Sequence, residues 1–498
     1  MNDLVSSAVD GNGERISAAT LKAAAKRILI SHMRLGFFDA WRPTYPFSKL
    51  MSNSSWGQLD SAAHRAVARE VAAKSTVLLK NKGGSLPLNR TVRSIAVVGP
   101  FAACWQGRKT DPANPRFLDG ATGECYLHSY NGNPSNITSI YGGIAAAGEA
   151  AGATVSYALG SNSTCPCSRC NSLGIVNCTN PTSKFYYPPA AAAIAAAVIA
   201  ADAAETTVLV LGLGGSMEGE GADRINMTLP TVQLDLFRAV SAVAKRLVVV
   251  VVSAGGVDLG DAAEQMADAI LYAPYGGEEA GSGLADVLFG VVNPQAKLPL
   301  TIYRQAWADA MNCANYTDLP NEPRTYHAPC NTSILRLDLE ASVGRTHRYL
   351  TDGPTYVSHG FGFGLSYTTF EYLHFVQSGG RIGPADDPTN VTVEVTVQNT
   401  GNVDGVEVVQ IYLEGATVPN LPTAHQNLIG FAKLTIAKGD SGTVQITIDN
   451  DRWKTALADG SLVVVHGKYT LWACGHQPAD QEGADGTSGP CLSMTLEI

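Results

Sequence analysis

The apolar residues of this chain follow two different patterns, one before and one after residue 311. In the first part, short continuous apolar runs alternate with stretches of helical character. A run such as Val208–Gly212, bounded by glycines, is typical of a strand buried on both faces of a parallel sheet. The alternation therefore predicts an α/β fold, a mostly parallel, doubly wound α/β sandwich. Its predicted strands are Ser94–Gly99, Thr154–Ala158, Val208–Gly212, Leu247–Val252, Ala269–Tyr272 and Leu298–Tyr303, and its helices include Ala190–Ala203, Val232–Lys245 and Glu278–Phe289.

The second pattern begins at Val391, where apolar and polar residues alternate with a period of two. Short alternating segments separated by turn residues predict an antiparallel β-sandwich of roughly seven strands. The segments that show the alternation are Val391–Val397, Val406–Leu413, Thr443–Ile448, Leu462–Val465, Tyr469–Trp472 and Leu492–Ile498.

The first 75 residues are predicted to contain two helices joined by a linker. Ser17–Arg34 and Asp60–Lys74 have the spacing of amphipathic helices, and the connector Arg42–Trp56 has the composition of a linker.

A charged loop follows the predicted strand Val208–Gly212. It contains Glu218, Glu220, Asp223 and Arg224. Open α/β sheets bind ligands beyond the carboxyl ends of their strands, so this loop is the first place to look for chemistry.

Composition narrows the classes of function. The 498 residues carry a formal net charge of −9, which argues against nucleic acid or an anionic membrane as the main partner. The longest apolar run, Ala190–Ala201, is shorter than the roughly 20 residues of a membrane helix. Ten cysteines and many N-glycosylation sequons favour the secretory pathway or the extracellular space, although Met1–Leu21 does not resemble a signal peptide.

The cysteines favour disulfides over metal. Cys165, Cys167, Cys170 and Cys178 have spacings that zinc could use, but neighbouring sequons favour disulfides there. Cys313 with Cys330, and Cys474 with Cys491, are close enough in sequence to be plausible bridges.

Several ordered motifs resemble glycoside hydrolase family 3, in particular its plant and fungal β-xylosidase branch. The branch rests mainly on Ser253–Asp258 and the cysteine-containing insertion. The motifs that carry the resemblance are Arg34–Asp39, Ser75–Asn81, Ala96–Pro100, Glu218–Arg224, Ser253–Asp258, Gly276–Glu279, Ala285–Gly290, Phe361–Tyr367 and Val408–Leu413.

The resemblance implies a domain order. That family combines a (β/α)8 barrel, an α/β sandwich and a fibronectin type III-like domain. The expected divisions are residues 1–40 as a remnant of the last barrel helices, 41–75 as linker and helix, 76–310 as the α/β sandwich, 311–385 as an irregular connector, and 386–498 as the fibronectin type III-like domain. We expect a chain that lacks most of the barrel, with packing against a barrel domain implied by the family.

The resemblance also implies site residues. Glu218 is the candidate general acid/base of a retaining glycosidase, and Glu220 is the alternative because both fit the Glu-x-Glu-Gly loop. Asp223 and Arg224 are candidate substrate contacts, although a local ion pair between them is at least as plausible. The family's nucleophile is a barrel aspartate, and no aspartate of this chain inherits that role. No cofactor or metal is expected, since Gly212-Leu213-Gly214 lacks the third glycine of a dinucleotide loop.

Two functions remain open. One is a β-xylosidase-like glycosidase acting on xylan-type oligo- or polysaccharides, of which this chain carries the acid/base half. The alternative is a non-catalytic carbohydrate-binding or structural module derived from the family.

Overall fold

A computed structural model describes most of the chain. The chain divides into two compact units, residues 1–67 and 68–498. The described residues are 17–35, 37–38, 60–89, 91–103, 137–161, 190–214, 217–218, 224, 226–310, 344–350, 353–380, 390–415, 424–457, 459–478 and 490–497.

The first unit contains helix α1 (Ala18–Arg34), and helix α2 (Ala62–Ser75) runs from the first unit into the second. Ser17 caps α1, because its side-chain oxygen accepts a hydrogen bond from the Thr20 amide at 3.1 Å. No residue of α1 is buried. Both helices were predicted, with boundaries shifted by at most two residues.

The second unit contains a six-stranded sheet with the strand order β1-β6-β5-β4-β2-β3. Strands β2 to β6 pair in parallel, whereas β1 is antiparallel to β6 at one edge. The strands are β1 (Val77–Asn81), β2 (Ser94–Val98), β3 (Thr154–Ala158), β4 (Thr206–Gly212), β5 (Leu247–Val252) and β6 (Ala269–Ala273). The predicted parallel sheet is therefore confirmed, and the antiparallel edge strand is an addition.

Helices cover both faces of the sheet. Val208 and Val210 of β4 belong to one core, and Leu209 and Leu211 belong to the other, because successive side chains of a strand point to opposite faces. The first core includes residues of α2, α3 (Ile140–Ala150) and α7 (Ala280–Leu288), and the second includes residues of α4 (Ala190–Ala203), α5 (Thr231–Ser241) and α6 (Asp261–Met266).

The predicted last strand, Leu298–Tyr303, is wrong in extent and place. Only β7 (Ile302–Tyr303) is a strand, and it pairs with β8 (Val357–His359) outside the parallel sheet; helix α8 (Gln305–Ala310) follows β7. Pro299 has no backbone N–H, so it cannot donate within a ladder. Leu298 instead exchanges backbone hydrogen bonds with Phe363 and Gly362, each 2.8 Å long.

The C-terminal strands form two facing sheets around one core. Within the described residues these sheets contain seven strands, in the orders β13-β10-β9 and β12-β11-β16-β17. The strands are β9 (Phe370–Gly379), β10 (Val391–Asn399), β11 (Gly405–Glu414), β12 (Asn427–Ile436), β13 (Ser441–Ile448), β16 (Lys468–Cys474) and β17 (Leu492–Glu497), with a separate hairpin of β14 (Lys454–Ala456) and β15 (Leu462–Val464). The β-sandwich is confirmed.

Two strands of this sandwich were not predicted. Strand β9 lies in the stretch that was expected to be irregular connector, and two irregularities in its pairing with β10 interrupt the alternation of side chains. Strand β12 exposes Phe431 to 65%, so its apolar residues do not mark one buried face.

A disulfide joins Cys474 to Cys491, which confirms one of the two bridges considered from sequence. The cysteines between 165 and 178, and the pair Cys313 and Cys330, lie outside the described residues. Among the described residues, no cluster of His, Cys, Asp and Glu is arranged to hold a metal ion. No described helix is long and apolar enough to cross a membrane.

Helices α3 and α7 approach each other closely through glycine. A Cβ atom added at Gly281 would lie 1.9 Å from the Ser139 carbonyl oxygen, and one added at Gly143 would lie 2.1 Å from the Gly281 carbonyl oxygen. The two helices can pack at this distance only because neither position carries a side chain.

A half-buried polar cluster links β8 to α6. The Ser358 hydroxyl donates to Glu264 Oε1 at 2.6 Å, and His359 Nδ1 lies 2.9 Å from the same hydroxyl. Burial, together with the charge of Arg304, lowers the pKa of His359 to about 4. Burial raises the pKa of Glu264. As the pH falls, protonation of Glu264 therefore favours the folded state, whereas protonation of His359 favours the unfolded state.

We predict that Gly281→Ala lowers the free energy of unfolding by at least about 1–3 kcal/mol, because the added methyl group would force the helices apart. Gly353→Ala is the matched control, since a Cβ at Gly353 meets nothing within 4 Å. Urea unfolding followed by circular dichroism measures both; equal stability of the two variants would contradict the close packing.

We predict that His359 makes the protein less stable as the pH falls from about 6.5 to about 4. In this window the unfolded chain binds a proton that the folded histidine does not. His359→Gln should therefore reduce the loss of melting temperature between pH 7 and pH 4. His374→Gln, at an exposed position of β9, is the control. A His359→Gln protein with an unchanged pH slope would show that His359 titrates normally in the folded state.

Candidate functional site

The candidate site lies at the carboxyl end of β4, where the order of the strands reverses. The chain proceeds from β2 to β3 on one side of β4 and to β5 and β6 on the other. Doubly wound sheets bind ligands at such a reversal, because the loops on its two sides leave in opposite directions.

At the end of β4 the backbone lies so close to β5 that residue 212 has no room for a side chain. A Cβ atom at Gly212 would lie 2.0 Å from the Val252 carbonyl oxygen of β5. The buried side chain of Gln233, on α5, accepts from the Gly212 amide at 2.9 Å and donates to the Gly212 carbonyl at 2.8 Å. The chain therefore leaves the sheet in one defined direction.

Glu218 follows this strand end and is buried, with 8% of its surface exposed. Its Oε1 accepts a hydrogen bond from the Ala254 amide at 2.6 Å, and its Oε2 accepts one from the Gly255 amide at 3.1 Å. Two successive amides after β5 thus bind the carboxylate from one side, as backbone N–H groups in turns bind anions.

A tyrosine after β6 completes the surroundings of Glu218. The Tyr275 hydroxyl lies 2.5 Å from Glu218 Oε1 and 2.7 Å from the Leu213 carbonyl oxygen, so its single proton can be donated to either acceptor. Tyr272, on β6, donates to the Ala254 carbonyl at 2.8 Å. Burial and the neighbouring charge of Glu218 raise the pKa of Tyr272 to about 12, so this hydroxyl keeps its proton.

Arg224 reaches the same turn from the other end of the charged loop. Its Nη2 donates to the Gly256 carbonyl at 2.6 Å, and its Nη1 is buried without a hydrogen-bond partner among the described residues. Burial lowers the pKa of Arg224, and the nearby carboxylate of Glu218 opposes that effect.

Gly255 lies next to the side chains of both Arg224 and Glu218. A Cβ atom there would lie 2.9 Å from Arg224 Nη2 and 3.4 Å from Glu218 Oε2. The turn Ser253–Gly256 therefore lies against both Glu218 and Arg224.

The segment that follows the charged loop is held beside Asp258 by backbone pairing. Thr228 pairs with Asp258 in an isolated parallel bridge, and the Asp258 amide donates to the Met227 carbonyl at 2.8 Å. The Asp258 carboxylate accepts from the Gly260 amide at 2.9 Å and the Gln305 amide at 2.8 Å. Asp258 therefore orders these loops.

The structure thus brings Glu218 and Arg224 together around one turn, whereas Glu220 and Asp223 lie outside the described residues. The catalytic and substrate-binding roles of all four stay predictions. Sequence reasoning did not single out Tyr275, although it also follows a buried strand at the carboxyl edge of the sheet, the signal that identified Glu218.

Comparison with known proteins identifies both folded parts of the chain. Residues 76–367 match the glycosyl hydrolase family 3 C-terminal domain, and residues 407–477 match a fibronectin type III-like domain.

Curated relatives match over most of the chain. A periplasmic beta-glucosidase of Salmonella typhimurium is 32% identical over 448 residues, covering 88% of this chain and 52% of the relative. Beta-xylosidase/alpha-L-arabinofuranosidase 2 of Medicago sativa subsp. varia is 29% identical over 483 residues, covering 92% and 53%. The chain therefore spans about half the length of the curated relatives it matches.

A solved structure has the same fold. The β-glucosidase from Erythrobacter marinus superposes with a TM-score of 0.69 at 27% identity, over 96% of this chain and 55% of that one. With more than half of its residues matched by the family's C-terminal domain, the chain belongs to glycosyl hydrolase family 3.

Proposed function

We propose that this chain supplies the acid/base part of a retaining glycoside hydrolase of the β-xylosidase type. One observation carries the proposal: in a region that matches the family's C-terminal domain, a loop bearing Glu218 and Glu220 follows β4 where the strand order reverses. Relatives from Medicago and Formosa agariphila are named beta-xylosidases, which supports xylose as the sugar.

The chemistry needs two carboxyl groups. One attacks the anomeric carbon and forms a glycosyl ester, while the glycosidic C–O bond breaks and the other carboxyl gives its proton to the leaving oxygen. The resulting carboxylate then removes a proton from water, and the water oxygen displaces the ester. The loop 218–224 provides the proton-transferring group, with Glu218 the first candidate and Glu220 the alternative.

The attacking carboxylate comes from a (β/α)8 barrel domain that packs against this one. No aspartate of this chain occurs in the sequence context of the family's nucleophile, so the barrel must provide it. The proposal assigns the two halves of the reaction to two domains.

Asp223 and Arg224 are the candidate substrate contacts of the loop, and this role rests on the sequence motif alone. The substrate class is a xylan-type oligo- or polysaccharide with a terminal β-xylosyl residue, and the assignment to the plant and fungal branch rests on the sequence of Ser253–Asp258.

We place the protein in the secretory pathway or outside the cell, as a glycoprotein. The disulfide Cys474–Cys491 supports an oxidising compartment. Asn89, Asn226 and Asn390, each in a sequon, are exposed, which supports glycosylation.

We predict that the chain hydrolyses 4-nitrophenyl β-xyloside when combined with the barrel domain of the Medicago relative, added separately or fused ahead of Met1. Turnover of the xyloside should exceed that of the glucoside. The barrel alone and the chain alone are the controls, and we expect little turnover from either. Tight binding of xylo-oligosaccharides without turnover in the combined sample would favour the alternative, a non-catalytic carbohydrate-binding module.

We predict that either Glu218→Gln or Glu220→Gln abolishes proton transfer in the combined sample. That variant should lose about 10²–10⁴-fold in rate on xylobiose, whose leaving group needs a proton. The loss should be smaller on a dinitrophenyl xyloside, and azide should restore turnover with formation of xylosyl azide. If neither variant shows this pattern, the acid/base group is not in the loop.

A further inference from the structure

Three hydrogen-bond donors surround the Glu218 carboxylate. Its two oxygens accept from the successive amides of Ala254 and Gly255, and Oε1 also accepts from Tyr275. These donors belong to the loops after β5 and β6, whereas Glu218 itself belongs to the loop after β4. One buried carboxylate therefore connects the ends of three neighbouring strands.

This arrangement differs from what a proton donor requires. A general acid must present an O–H group to the leaving oxygen of a substrate in an accessible groove. Both oxygens of Glu218 are instead engaged by groups of the protein, and only 8% of the residue is exposed. Transfer of a proton to a sugar would require these hydrogen bonds to break.

Arg224 makes the complementary contact at the other end of the loop. Glu218 accepts from the amides of the turn Ser253–Gly256, whereas Arg224 donates to its last carbonyl, that of Gly256. The turn is thus held by a hydrogen-bond acceptor and a donor that lie six positions apart in the chain, and glycine at 255 leaves room for both side chains.

We propose that Glu218 and Arg224 are positioning residues, which fix the two ends of the charged loop to the turn Ser253–Gly256, and that Glu218 does not itself transfer the proton. This inference rests on the proposed function and deepens it, because it removes Glu218 from the two candidates for proton transfer. Gln cannot replace Glu218, since its NH₂ group would face a donor whichever way the amide is turned.

The anchoring can be tested by a measurement that does not depend on enzyme activity. Hydrogen exchange of the amides of Ala254 and Gly255 should be at least about tenfold faster in Glu218→Gln, because an amide that loses its acceptor is protected less. Glu205→Gln is the matched control, since Glu205 is an exposed residue before β4 that accepts from the Arg93 amide at the opposite edge of the sheet. Unchanged exchange in Glu218→Gln would overturn the proposal even if the chain hydrolyses no glycoside.

The catalytic part is tested in the sample combined with the barrel domain. Glu218→Gln should lower kcat by roughly 10- to 100-fold on xylobiose and on dinitrophenyl xyloside alike, with KM nearly unchanged, no response to azide and an unaltered acidic and basic limb of the pH–rate profile. A variant of the group that does transfer the proton should show the azide response and lose the basic limb. Gly255→Ala should lower kcat in the same way, because the added methyl group would lie 2.9 Å from Arg224 Nη2 and displace that anchor.

Formation of xylosyl azide by Glu218→Gln would overturn the inference and identify Glu218 as the proton donor. A combined sample without turnover would count against the proposed function alone, since the exchange measurement decides the anchoring separately.

Discussion

The structure of the candidate site depends on the hydrogen bonds between one buried carboxylate and two backbone amides. Glu218 accepts from Ala254 and Gly255, and these bonds set the position of the loop after β4 relative to the turn after β5. A buried amide that loses its acceptor costs about 1–3 kcal/mol, and these two hydrogen bonds are only part-buried, so removing the carboxylate weakens the attachment of the turn by at most that amount. The contact also explains the glycine at 255, because a side chain there would separate Arg224 from the turn.

The position of the site follows from how the sheet is buried. Helices cover both faces of strands β4 and β5, and every residue of both strands is buried, so neither face is open to a ligand. The loops at the carboxyl edge are where polar side chains can gather without disturbing the core. Glycines at 212 and 255 let backbone and side chains approach closely at this edge, and Gln233 satisfies both polar groups of Gly212.

Predictions from the sequence were accurate where a local pattern determines the structure. The parallel strands were found because continuous apolar runs occur in strands buried on both faces, and β10 and β13 were found because their residues alternate. The predictions failed where distant contacts decide: Leu298–Tyr303 leaves the parallel sheet because Pro299 interrupts it and β8 provides another partner. Strands β9 and β12 were missed because pairing irregularities and exposed apolar residues hide the alternation.

The sequence alone therefore determined the fold class, the family resemblance and the loop in which acidic residues follow a buried strand. Each of these depends on residues that are neighbours in the chain or on the order of short motifs. Only the tertiary structure decided what surrounds Glu218, because its donors come from residues 36, 37 and 57 positions away. Whether a carboxylate faces solvent or backbone amides depends on how loops from distant parts of the chain pack together. A local sequence pattern contains no information about that packing.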